Sequence, residues 1–342
     1  MKRIILFKEK NTKSGGKEIY VDRLSDALKI ANIEHCKKHS IFPSFLPSWL
    51  RQVFFNIQIC ISKKNDLLLS FERIICPDIY RAGDGVHKFF LSLGHKSRLN
   101  PLHPILLFFE KICFKRSKAI IANSFLVKNQ IIKFYDIPSE KIEVIYNGVD
   151  YQKIDKNSAY KIISKEYPIK DKYIFLFVGS GFKRKGLKEF IDLFSRINAK
   201  DCVAIVVGKD KKLNWYKEYA EKKSTSNEFF FTGLRDDVNN FYSVADFLIL
   251  PTYYDPFSNT ILEAMHFNNV VITTKQNGAS EIINKNCVMK NPGDFSIVKN
   301  IEKLLKNKIE IESIKENNLI QSKKYSMERN VNETIKLISK CN

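Results

Sequence analysis

Residues 253–269 read YYDPFSNTILEAMHFNN. Asp255 and Glu263 stand there with seven residues between them. Asp255 precedes a proline and a run of small polar residues, so it falls just outside a helix that begins near Asn259. Glu263 falls inside that helix, within its apolar first turns. A carboxylate just ahead of a helix caps it, or accepts hydrogen bonds from a ligand's hydroxyls. A carboxylate among apolar residues is costly to bury without donors, and vicinal sugar hydroxyls are such donors. The plainer alternative is a helix cap plus a surface glutamate.

A second stretch, VGSGFKRKGLKEF (178–190), runs from a strand through glycines into Lys183, Arg184, Lys185, Gly186 and a helix. Glycines allow the backbone to approach a ligand closely. The cations and the helix start both favour an anion, most naturally a diphosphate. A Walker A loop would need Lys-Ser/Thr after its last glycine, and Leu187-Lys188 follows instead. A dinucleotide fingerprint fails because Arg184 stands where its third glycine belongs. The alternative is a solvated basic turn.

A third stretch, YRAGDGVHKF (80–89), sets Asp84 between glycines, with His87 close behind. That composition suits the lip of an active site, or an Asx-type turn. A fourth spans 87–118 and holds seven Lys/Arg against one acid, Glu110, with Phe89, Phe90, Phe108, Phe109 and Phe114 interleaved. A helix is expected from Pro104, with Lys111, Lys115 and Lys118 on one stripe beside a wide apolar face. Such a helix lies on an anionic membrane surface, or packs as a core helix with a solvated basic edge. No nucleic-acid fold motif accompanies the charge, so nucleic acid is not an expected partner.

The elements that must position these residues alternate. RIILF (3–7), DLLLSF (66–71), KAIIAN (118–123) and IEVIYNG (142–148) read as strands of a first series. YIFLFVG (173–179), CVAIVVG (202–208), EFFFTG (228–233), DFLILP (246–251) and NVVITT (269–274) form a second. Helical patterns separate most of them, beginning with the one opened by Gly15 and Gly16. Apolar strands alternating with helices predict parallel sheets covered on both faces. Two series predict two doubly wound domains joined near YNGVDYQKID (146–155). In such sheets ligands bind beyond the strand C-termini, where three strands of the second series end in glycine and a fourth in proline.

The 342 residues carry a net charge of +20, of which 25 − 14 = +11 falls in residues 1–150. That excess points to an anionic partner, or reflects a bias toward lysine in the coding sequence. The seven cysteines form no C-x-x-C pair and most lie beside apolar residues, which predicts buried free thiols. With no signal peptide and no apolar run long enough to span a bilayer, a reducing, cytoplasmic location is expected.

These motifs together resemble the GT-B retaining glycosyltransferases of family 4. Asp255-x7-Glu263-Ala264-Met265 is similar to that family's Glu-x7-Glu motif with one substitution. Arg184 and Lys185 match its basic pair, Gly15, Gly16 and Glu18 its first loop, and VIYNGVD its hinge. GSGFKRKG and YRAGDGVHKFF bring the chain closest to the branch that glucosylates the lipopolysaccharide core. The resemblance implies two Rossmann-like domains facing each other across a cleft. Residues 1–150 would form the acceptor-side, membrane-facing domain and 151–324 the nucleotide-sugar domain, with a helix over 325–342 crossing back to the first. It implies that Glu263 holds ribose and that Asp255 faces the donor sugar. The Ser258 and Asn259 amides would meet sugar and phosphate, with Gly181, Phe257 and Thr260 also lining the donor. Gly233, Leu234 and Arg235 would lie against uracil. Asp84 would be catalytic together with Arg184, Lys185 and Asp255, with His87 as a possible acceptor or sugar contact. No Asp-x-Asp pair occurs, so no metal or other cofactor is expected and cations meet the leaving group's charge. The expected activity is transfer of a hexose, glucose by preference, from a UDP-sugar to an anionic glycolipid such as a lipopolysaccharide or lipooligosaccharide core. The enzyme would be attached peripherally to the inner face of the cytoplasmic membrane. A GT-B nucleotide-sugar epimerase and a non-enzymatic basic adaptor for membranes or nucleic acid are the alternatives.

Overall fold

The computed structural model describes residues 2–9, 16–43, 45–94, 100–150, 152–223 and 228–342. The chain divides into two compact units, Met1–Asn147 with Met327–Asn342, and Gly148–Ser326.

The first unit runs β1 (Ile4–Lys8), α1 (Gly16–Ile30), β2 (His35–His39), α2 (Ser48–Lys63), β3 (Leu67–Ser70), β4 (Ile79–Arg81), α3 (His87–Ser92), α4 (Leu102–Arg116), β5 (Ala119–Ala122), α5 (Phe125–Tyr135) and β6 (Ile142–Val144). Its six strands are all parallel, in the order β2-β1-β3-β4-β5-β6. Alternate residues of β1 enter opposite cores: Ile4 and Leu6 join one cluster, Ile5 and Phe7 another. Both faces are therefore dry, which explains an uninterrupted apolar strand. Helix α1 places Tyr20, Val21, Leu24 and Leu28 in the first of these clusters.

The second unit runs α6 (Lys156–Glu166), β7 (Tyr173–Val178), α7 (Phe182–Lys185), α8 (Leu187–Phe194), β8 (Cys202–Val207), α9 (Leu213–Lys223), β9 (Glu228–Gly233), α10 (Val238–Val244), β10 (Phe247–Leu250), α11 (Asn259–His266), β11 (Val270–Thr274), β12 (Val288–Met289), α12 (Ile297–Leu305) and α13 (Lys308–Ser322). Its sheet is also six-stranded and parallel, ordered β12-β11-β10-β7-β8-β9. Strand order reverses between β7 and β10, and that reversal opens the crevice where doubly wound sheets bind ligands. The last helix, α14 (Met327–Cys341), belongs to the first unit. It buries Met327, Val331, Leu337 and Ile338 in the cluster built on α1, β1 and β3.

Two expectations are corrected. Cys60 and Cys76 form a disulfide rather than remaining free thiols. The pair joins α2 to the loop after β3, a contact that spacing could not reveal. Lys118 does not lie on the α4 stripe, because the helix ends at Arg116. The chain then turns into β5, and the Lys118 ammonium pairs with Asp78 at 3.3 Å. Three short strands, β2, β4 and β12, lie outside the strand pattern read from the sequence.

Candidate functional site

In the second unit, the loops following β7 and β10 flank the strand-order reversal, and they bring Arg184, Lys185 and Asp255 together. Gly181 starts the α7 turn at φ 73° and Gly186 ends it at φ 78°. A Cβ on Gly186 would lie 1.9 Å from the Pro251 carbonyl oxygen, so only glycine permits the two loops to touch. The contact carries Lys185 Nζ to 2.6 Å from Asp255 Oδ2 and 3.3 Å from Ser258 Oγ. Arg184 Nη1 donates to the Tyr254 carbonyl at 3.0 Å and approaches Asp255 at 3.5 Å. Lys185 and Asp255 are both buried, whereas the Arg184 side chain is 40% exposed. The basic turn is therefore solvated only in part: Lys185 is locked to Asp255, whereas Lys183 is exposed and Arg184 opens to solvent.

Asp255 does not cap α11. Ser258 holds the N-cap position, and its hydroxyl meets Lys185. The helix start is fixed by Asn277, fully buried, whose Oδ1 accepts from the Ser258 amide at 3.2 Å and the Ala279 amide at 3.1 Å. The Asp255 amide donates to Gln276 and its carbonyl accepts from Gly278, so the β11 loop sets the aspartate from the other side. Asn277 was not singled out from the sequence; its only signal was an Asn-Gly pair after an apolar strand. Within α11, Glu263 Oε2 accepts from the Tyr242 hydroxyl at 2.8 Å, and this α10 residue was also unforeseen. Burial pushes the Glu263 carboxyl up, against the opposite pull of Tyr242 and Lys185. It is not a surface glutamate. Phe257 is buried, and Asn259 and Thr260 are half-buried at the helix start.

Gly233, Leu234 and Arg235, expected beside uracil, lie at and after the end of β9. Gly233 takes φ 75° and Leu234 is 61% exposed. The Arg235 guanidinium is committed to Asp237 and Glu166 at 2.8–3.0 Å. Its side chain therefore braces the loop.

In the first unit, Asp84, half-exposed, pairs with Lys17 at 3.0 Å, and Lys17 also holds Glu72 at 2.9 Å. Partial desolvation raises the Asp84 carboxyl, but Lys17 and Arg73 outweigh it and hold it below its ordinary range. Lys17 opens α1 and Glu72 follows β3, so the group gathers at the C-terminal ends of adjacent strands. Gly16 begins α1, and Gly15 lies outside the described residues. His87 starts α3, with Nε2 3.2 Å from His103 Nδ1. Burial and the nearby Arg73 charge depress its pKa to about 4, so the ring is neutral near pH 7. Lys17, Glu72 and His103 are additions that the motifs did not indicate.

Helix α4 exposes Lys111 and Lys115, together with Phe108 at 60%. Among the described residues no helix is long and apolar enough to cross a membrane. Among them also, no cluster of three or more His, Cys, Asp or Glu side chains is set to hold a metal ion.

Comparison with known proteins agrees with this fold. The group 1 glycosyl transferase family model matches residues 160–323, and the glycosyltransferase family 4 model matches residues 80–153. The O-antigen chain mannosyltransferase RfbU of Salmonella typhimurium is 31% identical over 207 residues, covering 58% of this chain and 54% of that protein. The lipopolysaccharide glucosyltransferase WaaG of Escherichia coli is 29% identical over 237 residues, covering 65% and 62%. The chain thus spans roughly half, and less than two thirds, of the length of the curated relatives it matches. The crystal structure of WaaG, a glycosyltransferase involved in lipopolysaccharide biosynthesis, superposes with a TM-score of 0.81 at 18% identity, covering 98% of this chain and 99% of that one. Anabaena HepE in complex with UDP-glucose gives 0.71 at 16% identity, covering 99% and 100%. With two parallel six-stranded sheets the chain has the GT-B fold, it carries a group 1 glycosyl transferase domain over 160–323 and a family 4 glycosyltransferase match over 80–153, and it is related to glycosyltransferases of lipopolysaccharide and O-antigen synthesis.

Proposed function

We propose that the protein moves a hexose, glucose by preference, from a UDP-sugar to a hydroxyl of an anionic glycolipid, with retention at the anomeric carbon. The observation that carries this reading is the meeting of Arg184, Lys185 and Asp255 beside the strand-order reversal of the second unit, with Glu263 on the helix that follows. The part-exposed Arg184 and the buried Lys185 supply positive charge where a diphosphate departs. Asp255 and Glu263 supply acceptors for sugar and ribose hydroxyls, with the Ser258 and Asn259 amides at the helix start. In a front-face reaction the departing phosphate takes the acceptor's proton while the C1–O bond to UDP breaks and the new glycosidic bond forms. The chain then contributes position and electrostatics rather than a nucleophile. Asp84 and the neutral His87 are the first unit's candidates for contact with the reacting sugars. Support for UDP and glucose comes from HepE bound to UDP-glucose and from the glucosyltransferase relative. The glycolipid is supported by the lipopolysaccharide and O-antigen relatives, and a membrane surface by the basic, part-aromatic face of α4.

The test is UDP binding by calorimetry, followed by turnover with a panel of UDP-hexoses and an extracted glycolipid acceptor. Glu263→Gln is expected to weaken UDP binding by about 10- to 100-fold, the ~1.5–3 kcal/mol of hydrogen bonds to a charged acceptor. Because the Glu263 carboxyl titrates above its ordinary value, acidification should protonate it early. Wild-type affinity for UDP is then lost as pH falls through that raised pKa, and the Glu263→Gln variant lacks this component. Equal affinity in both proteins at neutral pH removes the ribose role. Turnover of the UDP-sugar without any acceptor requirement would favour an epimerase instead.

A further inference from the structure

Glu110 is the only acid in residues 87–118, and it has no solvent exposure at all. An ionised carboxylate survives such burial only when donors surround it. Oε1 accepts from Arg73 Nε at 2.9 Å and from the His87 amide at 2.7 Å. Oε2 accepts from the Lys88 amide at 3.1 Å and from the Tyr135 hydroxyl at 2.5 Å. Two of these donors are the leading amides of α3, which have no acceptor within the helix itself. The N-cap residue here is Val86, which offers no acceptor side chain. A glutamate on α4 therefore caps α3 from outside the helix.

The partner of Glu110 extends the hold. Arg73 Nη2 donates to the Gly85 carbonyl at 2.9 Å, and Gly85 sits at φ 71°, a conformation that favours glycine. A second brace comes from Asn123, whose Nδ2 donates to the Gly83 carbonyl at 3.1 Å. The segment 83–88 is thus fastened at Gly83, Gly85, His87 and Lys88. Between those fixings lie Asp84 and the start of the His87 side chain. A buried ion pair stabilises a fold no better than well-packed apolar residues of the same volume. What this pair adds is direction: it fixes where a short glycine loop ends and how a six-residue helix begins.

We propose that Glu110 is a positioning residue of the transfer reaction: through Arg73 and the leading amides of α3 it sets the loop that presents Asp84 and His87. It touches no substrate itself. The functional half of this inference rests on the transferase reading above; the geometric half does not.

Glu110→Gln tests both. The amide keeps the side chain's shape but must turn an N–H toward donors on one side, so at least one fixing is lost. Hydrogen exchange should show lost amide protection over 83–92, with the rest of the chain unchanged. In turnover, kcat should fall by about 100-fold, the usual cost of a misplacement of ~1 Å, while donor KM and UDP affinity hold. In an Asp84→Ala, His87→Ala background the same change should cost less than about tenfold, because both residues being positioned are already gone. Unchanged protection over 83–92 overturns the positioning role. So does a kcat within about twofold of wild type, or an equal loss in both backgrounds. Should Glu110→Gln fail to fold, Tyr135→Phe decides. It removes one donor and keeps the ion pair, and is expected to loosen the α3 amides and lower kcat several-fold; no change in either overturns the proposal. If the wild type turns over no UDP-hexose, the transferase reading fails, and exchange alone still decides whether Glu110 holds the loop.

Discussion

Lys185 and Asp255 lie seventy residues apart in sequence and 2.6 Å apart in space. Each was legible alone: a cation in a glycine-bounded turn, an acid ahead of a helix. Their pairing was not, because it depends on two loops meeting at Gly186 and Pro251. The pairing separates the two neighbouring cations. Lys185→Ala leaves a buried carboxylate with only Arg184 at 3.5 Å, and should cost about 3 kcal/mol of stability as well as most turnover. Arg184→Ala removes a part-exposed charge, and should lower turnover while leaving the unfolding temperature nearly unchanged. Thermal unfolding and initial rates on the two variants check this; identical unfolding temperatures would contradict the buried-pair account. The shorter acid at position 255 also acquires a reason. Its carboxylate is already within bonding distance of Lys185, so a longer side chain would have to displace that ammonium. Asn277 and Tyr242 stayed hidden in the sequence because a buried asparagine and a tyrosine in an apolar helix look like many others until their partners are known.

At the scale of elements, the apolar strands were readable because a parallel sheet buried on both faces needs continuous hydrophobic runs. The three strands that were not readable lack that property. Strand β2 is HCKKH, an edge strand whose lysines suit solvent. Strands β4 and β12 have only three and two residues, too few to show a period. The helix of the basic segment was expected correctly in kind, but its end was not. Ser117 closes α4 and sends Lys118 to Asp78, leaving two lysines on the helix stripe where three were expected. The turn after β7 yields the firmest expectation at this scale. Gly186→Ala combines a positive φ with a Cβ 1.9 Å from a carbonyl oxygen. It should destabilise the second unit by about 3 kcal/mol or more, read by urea unfolding, and should weaken UDP binding because α7 can no longer close on the β10 loop.

Across the whole molecule, the chain's end stabilises its beginning. Helix α14 returns to the first unit, where Ile338 is fully buried against residues of α1 and β1. The Tyr20 hydroxyl shares a 2.8 Å hydrogen bond with Thr334 across 314 residues. Ile338→Ala should therefore cost about 3 kcal/mol and act on the first unit, although the residue lies after all of the second. Hydrogen exchange resolves the two outcomes: loosened α1 and β1 with an unaltered second-unit sheet is expected. Uniform change, or change confined to the second unit, would contradict the assignment of α14. The excess of positive charge is likewise a property of the whole chain, and it favours anionic partners without choosing among them.

The alternation of apolar strands and helices was enough to decide the class of fold, and the resemblance carried by Asp255, Glu263, Arg184 and Lys185 pointed to the family. These are local properties, repeated along the chain and dictated by the periods of helix and strand. Folding decided which charges cancel, which stay open to a ligand, and which neutral side chains hold the loops. Lys185 is locked while Arg184 is part-free; Glu110 is a buried cap rather than a stray acid; Cys60 and Cys76 are joined. Each of these depends on atoms brought within about 3 Å from distant parts of the chain, and electrostatics and hydrogen bonding are too short-ranged and too dependent on burial to be read from residue order.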